Sequence, residues 1–315
     1  MAETNATESS LKDELSDLIV SQTFSQAQIA REVGISGATV SGFLNGTYAG
    51  DSKAIEKKLN QWLTIRKRHS SRLNGLDSPP EWVDTPTSGK IFPALEYAHM
   101  AGDITVIYGG SGVGKTESLK HYAGEHPSVW IATMTPAHAG VSPALEEIAF
   151  SLDMRDPPGR SARLMREIIR RLKDTKGLLI IDEAQHLFPA ALEAIRAIHD
   201  AVCMGLVLCG NESVYSRLSG GKRSAVFAQL YSRIGKRLRI TGTLKNDVVK
   251  MATAFGIIGK KEHRTLWNIG KKPGGLRGVI KTLKLAHVLA LGNGTEVDVS
   301  MIRAAWMDLA GEGIE

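Results

Sequence analysis

The stretch ITVIYGGSGVGKT, residues 104–116, decides the fold. Its first five residues are β-branched or aromatic, a continuous apolar run that reads as a strand covered on both faces. The next eight satisfy G-x-x-x-x-G-K-T, and a loop of that spacing at the end of a strand is a phosphate loop. Its glycines let the backbone N–H groups turn inward around the β- and γ-phosphates of a nucleotide, and the N-terminus of the following helix adds further donors. The phosphate-binding residues read from this segment are Gly109, Gly110, Ser111, Gly112, Val113, Gly114, Lys115, Thr116 and Glu117. Lys115 brings a point charge to the phosphates and Thr116 a hydroxyl to Mg²⁺.

Working outward, four further apolar runs alternate with helical stretches: SVWIAT (128–133), LLII (178–181), GLVLC (205–209) and LRIT (238–241). Strands alternating with helices predict a parallel sheet of five strands with helices on both faces. LLIIDE (178–183) ends in paired acids. Asp182 is placed as a second Mg²⁺ ligand, and Glu183 as the general base for water attacking a γ-phosphate. Asp182 could instead simply cap a helix at 183–188. Asn211 follows GLVLCG, where a strand lying between the two motifs would leave it beside the γ-phosphate as a water-orienting group. Arg277, in PGGLRG at the start of a helix, can swing a guanidinium onto the phosphates. Arg233, between a helix and the last strand, stands where nucleotide-dependent oligomers carry an arginine finger, and Arg237 competes for that role.

Three blocks and a seam organise the chain. Residues 74–89, NGLDSPPEWVDTPTSG, read as a Pro-rich linker. An all-helical block covers 1–73, the α/β core 90–243, and a helical lid 244–315, with helices over 275–291 and 299–310. In the first block Ser25 and Gln28 form a capping-box pair, Gly34 sits where a tight turn needs positive φ, and Ser36 can cap a second helix. Ala30, Val40, Phe43 and Leu44 fall at the small and apolar positions of a helix-turn-helix. Its second helix would offer Ser36, Thr39 and Ser41 to DNA. None is an Arg, Lys or Gln suited to bidentate base reading, so phosphate contacts and weak sequence preference are expected.

The composition excludes several classes. Of 315 residues 43% are hydrophobic, too many for a disordered chain. The longest stretch without an acid or a Lys or Arg, His126 to Leu145, is broken by three prolines and is no membrane span. The N-terminus lacks the basic start and apolar block of an export signal, which points to the cytoplasm. Cys203 and Cys209 lie in an apolar segment and read as core residues. Net charge is +6, with the basic excess concentrated at 155–176 and 213–246. Arg163, Arg166 and Arg170 share a helical face by spacing, and with Lys222 and Arg223 they are the candidates for phosphate contacts on DNA.

GGSGVGKT, LLIIDE, the strand ending at Asn211, SRIGKR and GGLR, in that order before a helical lid, resemble an AAA+ ATPase. With TFSQAQIAREVGISGATVSGFLNGTYAGD in front and GLVLCGNESVYSRLSGGKRSAVFAQLYSRI in the middle, the chain is more narrowly similar to the MuB family of phage transposition ATPases. That resemblance covers almost everything after about residue 10. It implies an ATP- and Mg²⁺-dependent ATPase that binds duplex DNA with little regard to sequence and polymerises on it as a helical filament. The DNA is delivered to a DDE transposase, strand transfer is stimulated, and insertion is steered away from DNA already carrying the element. A helicase loader or replication initiator shares the ATPase core and stays open, as does a nucleotide-switched regulatory DNA-binding scaffold. DEAQH (182–186) invites a helicase reading, but the chain leaves no room for a second motor domain.

Overall fold

The structure is a computed structural model, and it describes residues 11–12, 14–20, 24–74, 81–155, 159–219 and 229–314. They fall into two compact units divided between Ser78 and Pro79.

The first unit carries α1 (Gln26–Val33), α2 (Gly37–Leu44) and α3 (Ser52–Asn74). The cap of α1 closes in both directions: Gln28 N donates to Ser25 Oγ at 3.2 Å, and Ser25 N donates to Gln28 Oε1 at 2.8 Å. Gly34 ends α1 at φ 72°, a left-handed backbone that any side chain would strain. Ser36 Oγ then accepts from Thr39 N at 3.0 Å to start α2. Each such cap contributes about 1 kcal/mol. Ile29, Ala30, Val40 and Phe43 are buried against Leu11, Leu15, Ile55, Leu59 and Leu63. The helix pair and turn read from the sequence are therefore present.

The second unit opens with α4 (Ser88–Ala101) and continues β1 (Ile104–Gly109), α5 (Lys115–Glu125), β2 (Val129–Thr133), α6 (Val141–Ser151), α7 (Ser161–Leu172) and β3 (Leu178–Asp182). Then come α8 (Pro189–Val202), β4 (Gly205–Gly210), α9 (Glu212–Ser219) and β5 (Ile234–Ile240). All pairings are parallel, in the order β2-β3-β4-β1-β5. Alternate side chains along each strand enter opposite cores. Val106, Leu179, Ile181, Leu206 and Leu208 pack under α6, α7 and α8, whereas Ile107, Leu178, Ile180, Val207 and Cys209 pack under α4 and α5. Burying one such aliphatic side chain is worth roughly 1.5–3 kcal/mol. Because β4 lies between β1 and β3, its C-terminal end is inserted between the phosphate loop and the paired acids.

After β5, α10 (Lys245–Ala254), α11 (Lys260–Gly270), α12 (Gly275–Asn293) and α13 (Val299–Ala310) enclose a separate core around Val248, Leu266, Val279, Leu283, Ile302 and Trp306.

Three details differ from the sequence reading. The last strand starts at Ile234 rather than Leu238, because an edge strand can turn Arg237 and Arg239 to solvent while Lys236, on the face of Leu238 and Ile240, reaches out to Pro93 O. Cys203 is exposed, ending α8 in a left-handed conformation, while Cys209 is in the core. The stretch read as linker is packed before its end. Thr87 donates from its N (2.9 Å) and Oγ1 (2.6 Å) to the fully buried Asp247 carboxylate, which also accepts from Leu244 N at 2.9 Å. Upstream of it, Trp82 stacks on His121 with ring centroids 4.0 Å apart. Turn-forming composition hides these contacts because each partner lies far along the chain.

Among the described residues, no helix is long and apolar enough to cross a membrane.

Candidate functional site

The phosphate loop lies between the end of β1 and the start of α5, and glycine is required by contact as well as by dihedral. At Gly112, φ is 74° and a Cβ would come within 2.0 Å of Gly274 O. The Gly112 carbonyl accepts from Arg277 N at 3.1 Å. The N-terminus of α12 is thereby fastened to the loop, and Arg277 is delivered to the same cleft. Lys115 lies back over the loop, its Nζ donating to Gly110 O at 2.6 Å and Gly109 O at 3.0 Å.

Thr116 Oγ1 donates to Asp182 Oδ2 at 2.7 Å, joining the two metal candidates directly. Asp182 is buried at the end of β3, and its other oxygen accepts from Glu183 N at 2.9 Å. A hydroxyl and a carboxylate oxygen in contact are hard donors of the kind Mg²⁺ takes together with phosphate oxygens. Glu183 has φ 54°, a left-handed backbone unusual for a long side chain, and strain of this kind gathers at functional sites. Burial, and after it the Asp182 carboxylate, pushes the Cys209 thiol well above its ordinary range, so this cysteine stays neutral in the core beneath Asp182.

Asn211 stands where the strand order requires, between the two motifs. Its Oδ1 accepts from Ser213 N (2.9 Å) and Ser213 Oγ (2.6 Å), capping α9. The amide NH₂ is what it has left to offer a ligand. Gln185 was not foreseen. It donates through Nε2 to Glu183 Oε2 and accepts from Asn211 N at 3.2 Å, bridging the acid and the amide.

One cleft of 580 Å³ is lined by Ser111, Gly112, Gly114, Lys115, Thr116, Glu117 and Lys120 of the loop and α5, by Glu183, Gly210 and Asn211 at the strand ends, and by Arg277, Ile280, Lys281 and Lys284 of α12. The cations Lys115, Lys120, Arg277, Lys281 and Lys284 outnumber Glu117 and Glu183, which suits a polyphosphate. Lys281 and Lys284 follow Arg277 by four and seven residues and so share its helical face. That spacing was legible in the sequence once Arg277 had been singled out.

Arg233 is not in this cleft. It immediately precedes Ile234, which pairs with Ile104 at the start of β1, so it lies at the opposite end of the sheet from the phosphate loop. At about 3.3 Å per residue, β1 separates the two ends by roughly 17–20 Å. Its Nε donates to Asp200 Oδ1 at 2.7 Å. The competing Arg237 stacks its guanidinium over the Tyr231 ring, 4.6 Å from the centroid.

Of the DNA candidates, Arg163, Arg166 and Arg170 occupy the exposed face of α7, opposite buried Leu164 and Ile168, and Arg170 pairs with Glu167 at 2.6 Å. Ser36 Oγ is taken up by its cap and by Thr39 Oγ1 at 2.8 Å, and Ser41 Oγ accepts from Asn45 Nδ2 at 3.4 Å. Lys222 and Arg223 lie outside the described residues.

A five-stranded parallel sheet with a phosphate loop after β1, acids ending β3, a polar residue after the strand between them and a helical lid define an AAA-type P-loop fold. A family model described as "AAA domain" matches residues 98–218, and one described as "Mu B transposition protein, C terminal" matches residues 232–309. The chain is 40% identical over 301 residues, 96% of its length and 95% of the relative's, to the ATP-dependent target DNA activator B of Escherichia phage Mu. It is 38% identical over 274 residues, 86% of the chain and 93% of the relative, to the Mu-like prophage FluMu DNA transposition protein B of Haemophilus influenzae. The chain belongs to the Mu B transposition protein family. A solved structure of Drosophila ORC bound to DNA is similar with a TM-score of 0.52 at 12% identity, covering 76% of this chain and 65% of that one, a likeness of fold alone.

Proposed function

We propose that the protein is an ATPase that uses bound ATP to assemble on target DNA and to present that DNA to a DDE transposase. The convergence of Lys115, Thr116, Glu183, Asn211 and Arg277 on one cationic cleft carries this reading. Thr116 and Asp182 would hold Mg²⁺, which supplies charge neutralisation at the phosphates. Lys115 and Arg277 bind the phosphates from opposite walls, and the loop N–H groups orient them. Glu183 accepts the proton of the attacking water while Asn211, steadied through Gln185, directs that water. Arg233 lies too far from its own cleft to serve it, and its place before the last strand, where nucleotide-dependent oligomers carry an arginine finger, supports its acting on the nucleotide of a neighbouring copy, which makes turnover a property of the assembly.

Duplex DNA is bound chiefly through phosphates, by the outer face of α7 and, outside the described residues, by Lys222 and Arg223, with Ser36, Thr39 and Ser41 of the helix-turn-helix as further contacts. The copies form a helical filament on DNA in the cytoplasm; the filament stimulates strand transfer, and its release near an existing element gives target immunity. In this scheme the N-terminal block, the ATPase core and the lid act as separate domains, with the segment just before α4 tied to the lid through Thr87 and Asp247.

Glu183→Gln tests the reading. General-base catalysis is worth roughly 10²–10⁴-fold. The variant is expected to bind ATP normally, hydrolyse it at least a hundredfold more slowly, and hold ATP-dependent DNA complexes that no longer dissociate. Normal turnover by Glu183→Gln would remove it from the base role.

A further inference from the structure

Arg233 is held from two sides. Nε donates to Asp200 Oδ1 at 2.7 Å, and Nη1 donates to Gln229 O at 3.1 Å. The other Asp200 oxygen accepts from Arg196 Nη1. Arg196 is itself locked to Glu193 through Nε at 2.7 Å, and its side chain is only 15% exposed. The carboxylate is thus fixed on one side by the half-buried Arg196 guanidinium and presents its remaining oxygen to a guanidinium at the surface. The Arg233 side chain keeps 40% of its exposure, and with Asp103, His199, Asp200, Ser232 and Gly235 it lines a shallow cavity of 270 Å³. Among the described residues Nη2 has no partner, so a donor is left for an incoming group.

An exposed arginine samples many rotamers and loses that freedom when it enters another molecule's site; a guanidinium already held in one pose loses less. We propose that Asp200 is the positioning residue for Arg233, holding its guanidinium, through the anchored Glu193–Arg196–Asp200 chain, in the pose in which a second copy receives it at the γ-phosphate. This inference rests on Arg233 acting on a neighbouring copy. Asp200 itself touches no substrate. Glu193, Arg196 and Asp200 all belong to α8, and the spacing of three and four residues puts them on one face.

The test uses the full chain with ATP, Mg²⁺ and duplex DNA. Misplacing a group that must meet a transition state costs up to about a hundredfold. Asp200→Asn, which keeps the shape and removes the charge, is expected to bind ATP as the parent does and turn it over ten- to a hundredfold more slowly. Asp200→Glu should fall between the two. Mixing supplies a readout that a merely structural role would not move. Glu183→Gln protomers have an inert cleft but an intact Arg233, so adding them should raise hydrolysis in the clefts of Asp200→Asn protomers, as it should for Arg233→Ala protomers.

Parental turnover by Asp200→Asn, or a loss that mixing leaves uncorrected while Arg233→Ala is corrected, overturns the proposal. Full turnover by Arg233→Ala instead overturns the neighbour-acting arginine itself. Where Asp200→Asn fails to bind ATP, Asp200→Glu carries the same mixing test.

Discussion

The two ends of the central sheet are built on opposite plans. At the C-terminal ends of β1, β3 and β4, backbone does much of the work: glycines bring N–H groups into a cleft, and Thr116, Asp182, Glu183 and Asn211 interlock within a few ångströms. At the N-terminal end, beside Asp103 and Ile234, one partly exposed arginine is tethered to a carboxylate, and among the described residues no glycine loop cradles a phosphate there. The first end is a site that a single molecule can load with nucleotide. The second, on the proposed reading, is half a site, completed when another molecule's cleft faces it. On that reading, such a protein binds ATP alone and hydrolyses it in company, which couples turnover to assembly.

The largest effect that would break this contrast is at the loaded end. Lys115→Ala removes the loop's point charge, and nucleotide-dependent DNA binding is expected to disappear in a filter-binding assay; survival of that binding would mean that the cleft does not govern DNA at all. Next comes the lid that completes the cleft. Asp247 accepts three hydrogen bonds while fully buried, so Asp247→Ala leaves three donors unpaired and is expected to cost roughly 3 kcal/mol or more. Denaturant unfolding checks it, and an unchanged midpoint would deny that the segment before α4 is fastened to the lid. The smallest effect belongs to neither end. Arg163→Ala on the outer face of α7 should weaken DNA binding on all sequences and flatten its salt dependence by about one unit of log–log slope. An unchanged slope would move the DNA track elsewhere.

Much of the cleft was legible in the chain. The phosphate loop and the paired acids announce themselves because their chemistry needs particular residues at fixed local spacing, and Ser25, Gln28, Gly34 and Ser36 mark the helix-turn-helix for the same reason. Asn211 depends on the strand order, and Lys281 and Lys284 become visible only with Arg277 placed over the loop.

Other partners left no local trace. Gln185 bridges Glu183 to Asn211 across 26 residues, and Thr87 meets Asp247 across 160. Asp200 reaches Arg233 across 33. Nothing in the periodicity of either segment forecasts such a pairing.

By itself, then, the sequence determined the strand-loop-helix grammar, the phosphate-loop and paired-acid motifs and the family, since those follow from backbone dihedrals and side-chain types a few residues apart. The tertiary structure alone decided which carboxylate holds which arginine and at which end of the sheet. Parallel strands separate residues by the full length of the sheet or bring them into contact according to which end of each strand they occupy, and that is set by the crossovers rather than by any local run of residues.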